Sequence, residues 1–204
     1  MNKGEVKAHG RHVLVEVTKL PEVIEDVHVG EQARMTKTQT EFYYGEALEV
    51  GPNAADDDQC PGLVKGDKVI FQQLGGFMVP TTDGYCKIMD GYNIVAKTTS
   101  LEEMNKKTII PTGDRILIEV IGEGLVSEDA DGNEFYDESK GDPRDQDTQK
   151  GIVVSCGPQA EVIAEGTIVF FDPYCGNLIV NEADLMLKTV NSFDILFSTK
   201  NTSL

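Results

Sequence analysis

The sequence predicts an all-β protein built as two tandem small β-barrels with long mobile loops. Three observations predict it: a motif that occurs twice, a succession of short β-prone runs, and glycine or Gly-Pro punctuation between them. The motif is Tyr44-Gly45-Glu46-Ala47-Leu48-Glu49-Val50-Gly51-Pro52 and again Lys150-Gly151-Ile152-Val153-Val154-Ser155-Cys156-Gly157-Pro158. Glycine admits φ > 0, while proline fixes φ and donates no N–H, so Gly-Pro ends a strand in a turn. The period is about 100 residues, a domain length rather than a solenoid unit. The expected division is residues 10–98 for the first barrel, 99–110 for a linker and 111–198 for the second barrel.

The elements follow in order. Residues 1–9 are polar and read as loose. Gly10–Val17 alternates and is β-branched, and Gly113–Val120 echoes it. A long polar insertion follows each, Thr18–Phe42 and Ile121–Gln149, before the Gly-Pro strand. Next come Val64–Phe71 and Ala164–Phe171, each a Gly-polar turn feeding a β run. Both lead through glycine (Gly75-Gly76; Gly176) to a short strand, Phe77–Val79 or Leu178–Val180. Each copy closes with two more runs, Tyr85–Met89 then Tyr92–Ala96, and Asp184–Lys188 then Phe193–Phe197. Many short strands at close spacing indicate a small closed barrel, whose closure leaves no exposed edge. Between the copies, Leu101–Lys107 reads either as a single helical turn capped by Ser100 or as a plain linker.

Composition narrows the function classes. A hydrophobic content of 40% suits two small cores with long polar loops. Eighteen basic against 35 acidic residues give a formal charge of −17, which argues against nucleic acid and against an anionic membrane surface. No apolar run approaches a membrane span and the first ten residues hold no apolar signal core, so a cytoplasmic protein is expected. Cys60, Cys86, Cys156 and Cys175 show no CxxC spacing; reduced thiols are favoured over disulfides, and no zinc site is expected. The Asn201-Thr202-Ser203 triplet reads as a chance glycosylation match.

The ordered matches resemble the GroES/chaperonin-10 family of co-chaperonins, here as a tandem duplication of the GroES-like domain. Pro111–Ile118 is similar to the family's opening strand, and Lys150–Pro158 to the strand returning from its mobile loop. Glu165–Phe171 with Gly176 resembles the next hairpin, and Phe193–Phe197 the closing strand; the first copy matches at Val64–Phe71 and Asn93–Ala96. The resemblance implies an oligomeric ring of small barrels that caps a GroEL-type chaperonin around a folding client. It implies no catalytic residues and no cofactor, ATP being used by the chaperonin. It also implies a docking loop with a short apolar segment.

The second insertion fits such a loop on physical grounds. Residues 121–150 hold ten acidic residues, three basic ones and four glycines, too polar to offset the entropy of ordering. Within it, Gly122-Glu123-Gly124-Leu125-Val126-Ser127 is similar to the family's Gly-Gly-apolar docking segment, so Gly124, Leu125 and Val126 are the candidate chaperonin-binding residues. Burying Leu125 and Val126 gives about 1.5–3 kcal/mol each before ordering costs, so single loops bind weakly and a ring of them usefully. The first insertion lacks the paired glycines, and its candidates are Val23, Ile24, Val27 and Val29. The competing reading for all of them is a solvated loop packing on its own barrel.

Two departures from the family stand out. The roof segment between the Gly-Pro turn and the next strand is Asn53–Leu63, with Asp56-Asp57-Asp58, in the first copy and only Gln159–Ile163 in the second. A short roof implies an open dome, as in phage-encoded co-chaperonins. The duplication means that whole chains cannot tile a seven-membered ring with both barrels; tandem co-chaperonins exist in plastids.

Other chemistry is weakly signalled. His9, His12 and His28 lack a carboxylate or thiol cluster and read as surface histidines, not metal ligands. Gly122-Glu123-Gly124 is no dinucleotide fingerprint, and no phosphate loop, nucleophile elbow or HExxH occurs. Asp129, Asp131, Gly132 and Asn133 have calcium-loop spacing, but Lys140 stands where the bidentate glutamate belongs. The GroES-like barrel also occurs in dehydrogenases, whose nucleotide domain and zinc ligands have no counterpart in this sequence, so no enzyme activity is expected. The alternative to a co-chaperonin is a structural or virion scaffold that uses the barrel for oligomerisation alone.

Overall fold

The computed structural model describes residues 6–19, 27–29, 33–35, 42–72, 75–82, 84–101, 103–121, 126–128, 134–136, 148–172, 174–182 and 185–199. The chain divides into two compact units, Met1–Glu103 and Met104–Leu204. Among the described residues there is no α-helix, and no helix is long and apolar enough to cross a membrane.

The first unit contains β1 (His12–Lys19), β2 (Val27–Val29), β3 (Ala33–Met35), β4 (Phe42–Val50), β5 (Lys68–Gln72), β6 (Phe77–Thr81), β7 (Gly84–Asp90) and β8 (Ile94–Thr98). The second contains β9 (Ile109–Pro111), β10 (Arg115–Ile121), β11 (Val126–Glu128), β12 (Glu134–Tyr136), β13 (Gln149–Cys156), β14 (Ile168–Phe171), β15 (Asn177–Glu182), β16 (Leu185–Asn191) and β17 (Ile195–Thr199). The first unit's main sheet runs β6-β7-β1-β4-β5-β8, and a six-stranded sheet runs β15-β16-β10-β13-β14-β17 in the second. The six strands common to both follow one order, so the repeat read in the sequence is a repeat of topology.

The agreement extends to irregularities. A bulge falls between Leu14 and Val15 in the β1–β4 ladder and between Leu117 and Ile118 in β10–β13. Another falls between Ile70 and Phe71 in β5–β8 and between Phe170 and Phe171 in β14–β17. A bulge shifts the inside–outside alternation by one residue. In β1–β4 and β10–β13 the extra residue lies on the partner strand, Leu48 in β4 and Val154 in β13, so β1 and β10 keep their alternation. Val13 and Val15 join the first core and Ile116 and Ile118 the second, and Leu14 and Leu117 between them are buried as well. The Gly-Pro turns match too: Gly51 N donates to His12 O at 2.9 Å, and Gly157 N to Arg115 O at 2.8 Å. A short 3-10 turn precedes the last strand in each unit, Gly91–Asn93 and Ser192–Asp194.

The sheets are open, and this corrects the expectation of closed barrels. Each has two ends in its strand order, and among the described residues no ladder joins β6 to β8 or β15 to β17. A loop rather than strand closure seals the first core. Ala54, Cys60 and Leu63, from the segment expected to form a roof, pack with Val13, Val15, Ala47, Val69, Phe71, Met89 and Ile94. Buried Gln59 ties that loop down by accepting a hydrogen bond from Tyr92 N at 3.3 Å. The shorter second loop makes a smaller plug, Ala160 with half-buried Ile163, against Ile116, Ile118, Val153, Val169, Phe171 and Val190. With a plug in place, ladder closure is not needed to keep water from the core.

Between the last strand of the first unit and β9, Glu103 N donates to Ser100 Oγ at 3.2 Å. Thr108 N and Ile109 N both donate to Asn105 O. This is a linker with a hydrogen-bonded turn, not a helix. None of the four cysteines forms a disulfide; Cys60 and Cys86 are buried, Cys156 and Cys175 half-buried.

Candidate partner-binding insertions

Each insertion leaves and rejoins its sheet between two paired strands, β1 and β4 or β10 and β13. The β1–β4 ladder extends to Lys19 opposite Tyr44, and β10–β13 to Ile121 opposite Lys150. One residue further in, Gly45 faces Val17 and Gly151 faces Val120. A Cβ on Gly45 would collide with the Glu16 carbonyl oxygen, and one on Gly151 with Ile118 Cγ2. Glycine is therefore required at the root of both insertions by close approach of the neighbouring strand. Beside it, burial holds the Tyr44 phenol above its ordinary pKa.

Beyond these roots, the described part of each insertion is a two-stranded antiparallel ribbon. Val27, His28 and Val29 pair with Met35, Arg34 and Ala33. Val126, Ser127 and Glu128 pair with Tyr136, Phe135 and Glu134. Of the candidate docking residues, Val27 and Val29 lie in β2 and Val126 opens β11. Gly124, Leu125, Val23 and Ile24 lie outside the described residues, as do the calcium-like Asp129, Asp131, Gly132 and Asn133 and the Asn201-Thr202-Ser203 triplet. Short β-branched and aromatic runs inside the polar stretches, Val27-His28-Val29 and Phe135-Tyr136, were the signals available for the ribbons.

The structure brings together one pair of groups that sequence reasoning did not single out. Lys87 is buried with Nζ 5.7 Å from the centroid of the Phe71 ring, and Lys188 with Nζ 5.3 Å from that of Phe171. The two lysines occupy the same register position, Lys87 opposite Val15 and Lys188 opposite Ile118. Lys87 Nζ donates to Gln72 O at 3.2 Å; Lys188 Nζ donates to Gln149 Oε1 at 3.3 Å. Desolvation lowers the pKa of both amines, opposed at Lys188 by the charges of Cys175 and Asp172. The Cys175 thiol is pushed up to about 11, chiefly by burial, with the carboxylates of Asp194 and Asp172 adding to it. A cation above an aromatic face is attracted by the ring quadrupole, which offsets part of the cost of removing it from water. The recurrence of the pair in both units marks it as part of the scaffold. A lysine in an alternating run reads as solvated from sequence alone; its recurrence at the same place in both copies was the missed signal.

Among the described residues, no group of three or more His, Cys, Asp or Glu side chains could hold a metal ion. Exposed His12 makes a 2.8 Å contact through Nδ1 with Asp90 Oδ1, its neighbour across the β1–β7 ladder. The Asp56-Asp57-Asp58 run is anchored locally, Asn53 Nδ2 donating to Asp56 Oδ2 at 3.0 Å. No protein-family model matches the chain, and no curated protein sequence matches it.

Proposed function

We propose that the chain is a co-chaperonin made of two tandem GroES-like β-sheet units, forming a homo-oligomeric ring that caps a GroEL-type chaperonin and aids ATP-dependent folding of a client. The observation that carries the reading is the position of the insertions. In two units of one strand order, a polar insertion with an apolar segment rises between the first strand and the Gly-Pro strand. That is where the resemblance puts the docking loop. Leu125 and Val126, next to Gly124, are the principal contacts, with Val23, Ile24, Val27 and Val29 as the first unit's counterpart. On this reading the chain itself carries no catalytic site, binds no cofactor and works in the cytoplasm.

The test is ATP-dependent co-migration of the full chain with a chaperonin ring in gel filtration. The Leu125→Asp, Val126→Asp double variant should lose co-migration while keeping its circular dichroism and its own assembly state. Normal capping by that variant removes the site assignment. Failure of the unaltered chain to co-migrate removes the function.

One observation favours a structural or virion scaffold instead: β2–β3 and β11–β12 give the described part of each insertion a paired backbone of its own. On that reading, deleting residues 122–127 leaves assembly unchanged and the chain never enters the chaperonin fraction.

A further inference from the structure

Alternation along β7 and β16 puts Lys87 on the same face as Met89 and Lys188 on the same face as Val190, and Met89 and Val190 belong to the two cores. Each lysine thus holds an inward position that an aliphatic side chain would fill with less loss of hydration. The unfavourable choice is made twice, at equivalent register positions in two units of one strand order.

What the amines reach is equivalent too. Lys188 Nζ lies over the Phe171 ring and donates to Gln149 Oε1 at 3.3 Å. Gln149 is the first residue of β13, where the second insertion rejoins the sheet, and it pairs with Phe171. Lys87 Nζ lies over the Phe71 ring and donates to Gln72 O at 3.2 Å. Gln72 ends β5 and pairs with Phe42, the first residue of β4, where the first insertion rejoins. Neither amine meets its nearest neighbour in the ladder. Lys188 stands opposite Ile118, which stands opposite Val153, four residues along β13 from Gln149. The side chain therefore runs along the core from β16, past β10, to the end of β13.

From this shared reach we infer that Lys87 and Lys188 are positioning residues for the insertions: each amine pins the place where its insertion re-enters the sheet, and so sets the direction in which the insertion departs. Each acts through the root, Tyr44 and Gly45 or Lys150 and Gly151, and not by contact with a partner. An aliphatic side chain would fill the same core space without donating to the strand end. A lysine that served the core alone would, on removal, loosen its whole unit together. One that serves the root gives two opposite signs: the root loosens, while the rest of the unit holds or gains because a desolvated amine is gone. The consequence for docking rests on the proposed function; the assignment to the root does not.

Hydrogen exchange on the full chain tests it. In Lys188→Met, the amides of Lys150 and Gly151 should exchange about tenfold faster or more, the change expected when a hydrogen bond from an ammonium group is lost. The amides of Ile116 and Leu117, at the far end of β10, should exchange no faster. Lys87→Met should act in the same way on Tyr44 and Gly45, with Leu14 and Val15 as the reference. Its factor should be smaller, because Gln72 belongs to the strand beside the returning one. Gln149→Leu removes the acceptor and leaves the amine. It should also speed Lys150 and Gly151, and adding it to Lys188→Met should bring no further acceleration. Unchanged exchange at the roots overturns the inference, and so does equal acceleration of root and reference amides. Co-migration with a chaperonin ring is a separate arm, which Lys188→Met should weaken. If the unaltered chain does not co-migrate, the docking reading falls and the exchange rates still decide the root assignment. If it co-migrates and root exchange is unchanged, the root assignment falls and the docking reading stands.

Discussion

The two units share a strand order, two bulges, a Gly-Pro turn and a buried lysine over a phenylalanine, yet they differ in what seals the core. In the first, a fourteen-residue stretch from Pro52 to Lys65 folds back to place Ala54, Cys60 and Leu63 among the core side chains. In the second, the corresponding stretch is shorter and only Ala160 is fully buried, while Val162 stands 91% exposed. The ladder is the conserved part of the architecture and the plug is the variable part. An open sheet tolerates this because the ladder supplies backbone hydrogen bonds and the plug supplies only apolar cover.

The largest effects test what is common. Phe71→Ala and Phe171→Ala each remove a fully buried ring and the face that holds a lysine, and each should cost about 3–5 kcal/mol in urea unfolding. Equal costs would confirm the units as equivalent scaffolds; a difference of more than half would show that the repeat in topology is not a repeat in energetics. The plug should then separate the units. Leu63→Ala should cost about 2–5 kcal/mol, whereas Ile163→Ala, at a half-buried site, should cost about 1 kcal/mol, both read from the same unfolding curves.

The smallest effect concerns the buried amines. Both lysines have folded-state pKa values below the ordinary one, so the unfolded chain binds more protons between the two values. Their contribution to stability therefore rises as pH climbs from the folded pKa towards 10.5 and is least favourable below the folded pKa. Lys188→Met and Lys87→Met should each raise stability near neutral pH by about 1 kcal/mol, and the gain should shrink in the alkaline range. Thermal melts at a series of pH values read it directly. A loss of stability at neutral pH would mean that the ring and oxygen contacts outweigh desolvation.

Much of the fold was legible because it is written in period and punctuation. The β-branched runs located both copies of the six common strands, and Gly45, Gly51, Gly151 and Gly157 marked close approaches of backbone that no side chain permits. What was not legible depends on three-dimensional neighbours. Openness of the sheets is a matter of which strands pair, and no residue type signals it. Asn53–Leu63 reads as polar because Asp56, Asp57 and Asp58 dominate it, yet three small or apolar residues without periodicity decide its role. Leu14 and Leu117 are buried along with the core-facing residues on either side of them, which alternation alone does not signal. Of the candidate docking residues, the sequence offered adjacent apolar side chains in an acidic stretch, and the structure adds the root geometry and the ribbons on which Val27, Val29 and Val126 stand.

The distribution of the four thiols has a chemical consequence. Cys60 and Cys86 are sealed inside the first unit, and Cys156 and Cys175 sit partly open in the second. An oxidant or electrophile in the surrounding medium therefore meets the second half of the molecule first. The thiolate is the reactive species, and the elevated Cys175 value suppresses it at neutral pH. The chain thus keeps its sulfur chemistry quiet by two separate means: enclosure in one half and a withheld negative charge at Cys175 in the other.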